Sequence, residues 1–257
     1  MKEPIMENGQ EKFLGDLEQY MPEMEKKIRK LLKQKIEFQL QNDGDNAKDY
    51  LIEDSAYLIE DALDNEQGER LEEFTGLEFE GIYNKLREMG VDDVIEIYIA
   101  EKLQRKLSSE KAFLTKMQER IKPGIKTVFF DLDETLVSKV YDMTMKNSID
   151  LLRPAGEIIL KKLKEKGIKI GILTTRSSEC IPEQIASYID DKIISKDENE
   201  QYQEKCFQKF GLAETPTDAK ECFAKVSGSD VLIVDDAPYA KNYKNCVHVN
   251  DEIKFYL

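Results

Sequence analysis

Two periodicities divide the chain. From Met24 onward, apolar residues recur at spacings of three and four (Met24, Ile28, Leu31, Leu32, Ile36 and Leu40) with basic residues between them. That pattern predicts an amphipathic helix, which Asp43-Gly44-Asp45 interrupts. Ile52, Ala56, Ile59 and Leu63 predict a second helix. A shorter one is expected roughly from Leu77 to Met89, before Gly90. A long one starts near Asp92 and carries Ile95, Ile99, Leu103 and Leu107 towards Arg120. No proline falls between Pro22 and Pro123, which suits an unbroken run of helices. Residues 1–120 therefore read as a helical bundle of about four helices, the first starting after about residue 11.

Ile121-Lys122-Pro123-Gly124 closes the long helix, and the pattern then changes to short apolar runs alternating with helical stretches. The strands expected are Thr127–Phe130, Ile168–Leu173, Lys192–Ser195, Val231–Val234 and Cys246–Val249. Pro154 opens a helix through Ile158, Leu160 and Leu163 that stops at Gly167. Pro182 opens another through Ile185 and Tyr188, and a third lies around Lys220–Val226. Such alternation implies an α/β fold, a three-layer parallel sheet with right-handed crossovers. The domains expected are thus 1–120, all-α, and 121–257, α/β.

Charge narrows the function. The net charge of −14 is uneven: 29 acidic and 18 basic residues in 1–120 give about −11, leaving about −3 for the remainder. Phosphate backbones and anionic lipid require a basic face, so nucleic acid is not an expected substrate. The acidic run along 43–80 is expected to be a solvated face. No run of 18 apolar residues exists, so no membrane span is expected, and the polar Met1–Gln10 does not resemble a signal peptide. Cys180, Cys206, Cys222 and Cys246 have no zinc or disulfide-framework spacing and are expected to be free thiols of a reducing, cytoplasmic compartment. His248, the single histidine, is expected to be a strand residue, which removes histidine from the candidate catalysts.

The chemistry lies at strand ends. Thr127–Val137, T-V-F-F-D-L-D-E-T-L-V, is a buried-strand pattern that ends in Asp131 and Asp133. Two acids held that close repel, and burial penalises their charge, so the arrangement calls for a cation. The second strand ends in Thr174-Thr175-Arg176 and the fourth in Asp235-Asp236. In a parallel sheet these ends share one edge, where such folds bind ligands. An all-oxygen donor set suits a hard cation, Mg²⁺ above others. A metal with a carboxylate beside it is equipment for phosphoryl transfer.

In this order, D-x-D-x-T, a strand-ending threonine, a lysine and then an acidic pair, the chain resembles the haloacid dehalogenase superfamily. The string D-L-D-E-T-L-V, together with Arg153-Pro154-Ala155-Gly156 and V-L-I-V-D-D-A-P, is similar to its branch of uncapped polymerase C-terminal-domain phosphatases. The resemblance covers about 121–250. It implies that Asp131 is the nucleophile that forms an aspartyl-phosphate. It implies that Asp133 protonates the leaving group, activates water and lends its carbonyl to Mg²⁺. Thr174 would bind a phosphoryl oxygen, and Asp235 or Asp236 would complete the metal shell. Lys220 best matches the lysine position, with Lys225 and Lys196 as alternatives. Thr135 would brace the loop, while Thr175 and Arg176 are loop residues able to meet an anionic substrate. The branch usually has aspartate then asparagine where this chain has Asp235-Asp236. Receiver domains use the same residue types in another order, which rejects that reading.

The intervals from Thr135 to Thr174 and from Arg176 to Lys220, 39 and 44 residues, hold no sizeable cap domain; Ser138–Ile149 can form a small flap. In this superfamily an open site tends to go with macromolecules, so the expected substrate is a phosphoprotein, on tyrosine or on serine/threonine. The bundle would serve as a lid, a partner-docking module or a dimerisation surface. Two alternatives stand: a phosphatase of nucleotides or sugar phosphates with the bundle as lid, and a non-catalytic binding protein.

Overall fold

A computed structural model describes residues 6–7, 10–65, 71–190, 192–211 and 216–257; among them, five parallel strands form one sheet in the spatial order Lys192–Ile194, Lys169–Leu173, Thr127–Phe130, Val231–Asp235, Cys246–His248. They are β1 (Thr127–Phe130), β4 (Lys169–Leu173), β5 (Lys192–Ile194), β6 (Val231–Asp235) and β7 (Cys246–His248). The register aligns Phe130 with Ile172 on one side and Val234 on the other. All three strands therefore stop at one level. The chain runs from β1 outward to β4 and β5, then returns to β6 on the opposite flank, so the strand order reverses beside β1. That reversal opens a crevice at the C-terminal ends of the strands.

Compactness divides the chain into two units. One comprises residues 1–20, 109–139 and 150–256; the other comprises 21–108, 140–149 and 257. The second holds helices α1 (Met21–Asp43), α2 (Asp45–Asp64) and α3 (Phe79–Glu88) and the first part of α4 (Val91–Arg120). Met24, Ile28, Leu32 and Ile36 bury the spacing-four stripe of α1; Ile52, Ala56 and Ile59 do the same for α2. Gly44, at a φ of 55°, makes the left-handed step between them, a conformation costly for residues with a side chain.

The sheet unit continues with α5 (Pro154–Glu165), α6 (Glu183–Ala186), α7 (Lys196–Phe210) and α8 (Pro216–Val226). The interval after Thr135 holds a two-stranded hairpin, β2 (Val137–Tyr141) and β3 (Ser148–Leu152). The last part of α4 covers the β7 edge. Arg120 donates to the Lys244 and Cys246 carbonyls and Lys116 to that of His248, occupying groups an edge strand would otherwise expose. No helix among the described residues is long and apolar enough to cross a membrane.

The thiol expectation needs correction. Cys222, buried in α8, is disulfide-bonded, whereas Cys180 and Cys246 are free; the side chain of Cys206 lies outside those described. Cys246 is chemically quiet, burial and Asp235 pushing its thiol up to about 12. His248 is a β7 residue, as expected.

One close approach fixes α8 against the sheet. A Cβ on Gly171 of β4 would clash with the Phe129 ring, and that ring meets Phe223 of α8 edge-on at 4.8 Å. Gly171→Ala must displace this stack. The expected cost is about 1–3 kcal/mol in urea unfolding, the usual range for overpacking, with a parallel loss of activity because α8 carries Lys220.

Candidate active site

Asp131 leaves the sheet at the end of β1, its N–H donating to the Val234 carbonyl at 2.8 Å. A tight turn follows. The Leu136 and Val137 N–H groups both return to the Leu132 carbonyl at 2.9 Å, and Glu134 takes a φ of 58°. The turn is short enough to present Asp131 and Asp133 from one loop. Asp131 is buried and Asp133 half-exposed. On α8, Ala219, Phe223 and Ala224 are buried, and Lys220, one turn before Phe223 and Ala224, shares their face. Its ammonium lies 2.8 Å from Asp131 Oδ1 and 3.1 Å from Asp235 Oδ2. Lys225 pairs instead with Glu221 at 3.4 Å, and Lys196 is exposed. Of the three lysines, Lys220 is the one that pairs with Asp131.

Asp235 is fully buried and its oxygens are occupied. Oδ1 accepts from the Ala237 N–H at 2.8 Å; Oδ2 accepts from the Tyr239 hydroxyl at 2.8 Å and from Lys220. Asp236 is half-exposed, with Oδ2 3.0 Å from Lys254 Nζ. Lys254 also pairs with Glu134 at 2.8 Å, and Glu134 accepts from Tyr256 at 2.7 Å. One oxygen each from Asp131, Asp235 and Asp236 come within 4.8 Å of one another.

Electrostatics reports a charge excess there. Desolvation pushes Asp131 up to about 7, with Asp235 and Asp236 adding to the rise and Lys220 opposing it. Burial works against the charge on Lys220, yet Asp131 and Asp235 outweigh it and its pKa rises. Asp236 is likewise raised, chiefly by desolvation, with Lys254 pulling the other way. Lys220 is shared by Asp131 and Asp235, and Lys254 by Asp236 and Glu134; two ammoniums among four acids leave negative charge uncompensated, and a divalent cation would relieve it. The donor set therefore fits a hard metal ion.

The remaining predicted residues sit on the loop after β4. Thr174 is buried, and its hydroxyl accepts from the Arg176 N–H at 3.2 Å. Thr175 is exposed. The Arg176 guanidinium turns towards Asp133 and Asp150 rather than into open space; its hydrogen bonds to both carboxylates, foremost Asp133, raise its pKa further. Thr135 braces the loop through its carbonyl, which accepts from Arg153 Nη1 at 3.3 Å, while its buried hydroxyl has no partner among the described residues.

Residues 126–252 match the family model of NLI interacting factor-like phosphatases. The C-terminal half is a phosphatase domain of that family. The family lies in the haloacid dehalogenase superfamily and is related to the polymerase C-terminal-domain phosphatases, so the phosphatase domain is a phosphoric monoester hydrolase with the parallel-sheet fold described above. No curated protein and no solved structure gave a match. Three neighbours of this phosphatase site were not among the residues expected from the sequence: Tyr239, Asp150 and Lys254. The last two reach it from 26 and 18 residues away from Arg176 and Asp236, respectively. Tyr239, four residues after Asp235, was within reach of a strand-end reading. A buried hydroxyl there needs a partner, and the adjacent carboxylate supplies one.

Proposed function

We propose that this domain hydrolyses phosphomonoesters through an aspartyl-phosphate on Asp131, with Mg²⁺ as cofactor and a phosphoprotein as substrate. The observation that carries the reading is the buried Asp131–Lys220–Asp235 arrangement with Asp236 beside it. An Asp131 oxygen attacks phosphorus, and the bond to the leaving oxygen breaks. Asp133, half-exposed on the same loop, gives the leaving oxygen its proton. It then takes a proton from the water that attacks the acyl phosphate, releasing inorganic phosphate and restoring Asp131. Lys220 opposes the cost of burying the charge on Asp131, and a bound divalent ion would offset it further. Thr174, just after β4, would donate its hydroxyl proton to a phosphoryl oxygen.

Asp131, the Asp133 carbonyl and Asp236 would hold Mg²⁺, since the oxygens of Asp235 are already engaged by Ala237, Tyr239 and Lys220. When bound, the ion neutralises charge on the phosphoryl oxygens. Chelation is expected to remove hydrolysis of phenyl phosphate and Mg²⁺ to restore it. Activity undiminished in excess chelator would overturn the metal assignment.

A macromolecular substrate is favoured because, among the described residues, neither interval contains a sizeable cap. The first holds the β2–β3 hairpin and α5, the second α6, β5 and α7. Turnover of a phosphopeptide panel is compared with that of nucleotides and sugar phosphates. Higher kcat/KM on phosphopeptides supports the reading, and the reverse order replaces it with a metabolite phosphatase.

A further inference from the structure

We propose that Arg176 and Asp150 are positioning residues for the Asp133 carboxylate, and that Arg176 does not bind the substrate's phosphoryl group. This rests on the phosphatase reading above and assigns a task within it.

A guanidinium has five N–H donors, and protein oxygens take all five of those on Arg176. Nε donates to Asp133 Oδ2 at 3.0 Å, and Nη2 donates to Asp133 Oδ1 and to Asp150 Oδ1, the latter at 2.9 Å. Nη1 donates to Asp150 Oδ2 at 2.8 Å and to the Cys180 carbonyl at 3.4 Å. Contact with a phosphoryl oxygen would require giving up one of these bonds. The side chain is also only 10% exposed, and its backbone is held on both sides. Its N–H donates to Thr174, and its carbonyl accepts from the Lys196 N–H at 3.0 Å.

The fork has a consequence for Asp133. Among the described residues, Arg176 is the one hydrogen-bond partner of that carboxylate, which is otherwise 44% exposed. Without the guanidinium, the side chain would rotate in solvent. With it, two parallel N–H donors fix the carboxylate in the guanidinium plane. Asp150, on β3, holds the opposite edge of the same plane. A lysine cannot reproduce this, because an ammonium is a point charge without a planar fork.

The test is a double-mutant cycle on phenyl phosphate with Arg176→Gln, Arg176→Lys, Asp150→Asn, Asp133→Asn and the pair Asp133→Asn/Arg176→Gln. Arg176→Gln is expected to lower kcat about 10- to 100-fold, part of what a misplaced general acid–base forfeits, with KM changed by no more than about twofold. Asp150→Asn lowers kcat in the same direction by less, and Arg176→Lys does not rescue. In the Asp133→Asn background, Arg176→Gln costs no more than about twofold further, because the residue acts through Asp133. Losses that multiply in the cycle, a rise in KM with kcat retained, or rescue by lysine would overturn the proposal and return Arg176 to substrate binding. Should Arg176→Gln fail to fold, Asp150→Asn and Arg176→Lys decide the same question. An inactive wild type overturns the phosphatase reading and this inference together; an active one with multiplying losses overturns this inference alone.

Discussion

Asp131→Asn is expected to fold and to turn over phenyl phosphate on the order of 10⁴-fold or more slowly than wild type, as when a covalent nucleophile is removed. Asparagine keeps the shape of the side chain and an acceptor for Lys220, which lies 2.8 Å from Oδ1. It lacks the anionic oxygen that attacks phosphorus. The same variant makes a second, independent prediction in chelated protein. Burial and the neighbouring acids raise Asp131 to about 7 from an ordinary 3.8, so between those values the folded form holds a proton the unfolded chain has released. The stability contributed is fully present below about pH 4 and is lost as pH rises through about 7. Wild type in chelator should therefore lose stability across that window in urea titrations, and Asp131→Asn should lose less. Added Mg²⁺ should flatten the wild-type slope. Residual turnover within tenfold of wild type would remove Asp131 from the nucleophile role, and a wild-type stability that climbs from pH 4 to 7 would contradict the charge excess.

The position of Asp131 was legible because its signals are local. An apolar run ending in acids marks a strand end, and three such runs in a parallel sheet converge whatever their separation in sequence. Asp131, Thr174, Asp235 and Asp236 were placed at strand ends in that way, and the four N-terminal helices α1 to α4 were read from their period. What was missed depends on contacts no periodicity encodes. The Asp133–Arg176–Asp150 group joins three separate segments, and nothing in T-T-R-S-S distinguishes a guanidinium held between two carboxylates from one free to meet phosphate. Helix α7 is polar along most of its length, with Tyr202 as a residue packed on the sheet-side core, so its apolar pattern is faint. The β2–β3 hairpin was expected only as a flap. Cys222 was expected to be a thiol because cysteine spacing does not encode pairing. The change of pattern at Pro123-Gly124 is genuine, yet the compact units divide inside α4, between Ser108 and Ser109. The last three turns of that helix bury Phe113, Leu114 and Met117 and bind the carbonyls of β7, which places them with the sheet.

Glu110, in those last turns, carries the largest stability effect expected. Its Oε1 accepts from Arg153 Nε at 2.6 Å and its Oε2 from the Ala155 N–H at 2.7 Å, at the N-terminus of α5. Both members of the pair are almost fully excluded from solvent, at 1% and 0% exposure. The guanidinium carbon lies 3.9 Å from the Phe113 ring centroid, and Nη1 holds the Thr135 carbonyl in the catalytic loop. Burial lowers the pKa of Arg153 and Glu110 opposes that shift. Glu110→Ala strands a buried cation whose Nη2 already lacks a partner among the described residues, and it frees an N–H at the start of α5. The expected loss is about 3–5 kcal/mol, the range for breaking a buried pair from one side, a large share of the roughly 5–15 kcal/mol that holds a typical domain together. Arg153→Met strands the opposite charge and should cost a similar amount. Removing both at once leaves no buried charge, so Glu110→Ala/Arg153→Met should unfold at a higher urea concentration than either single variant. A double variant less stable than both singles would show that the pair contributes net stability beyond mutual neutralisation. In that event the strut from Glu110 through Arg153 to the Asp131 loop would have to be counted among the interactions that hold the fold, rather than as a charge pair whose main requirement is that neither member be left alone.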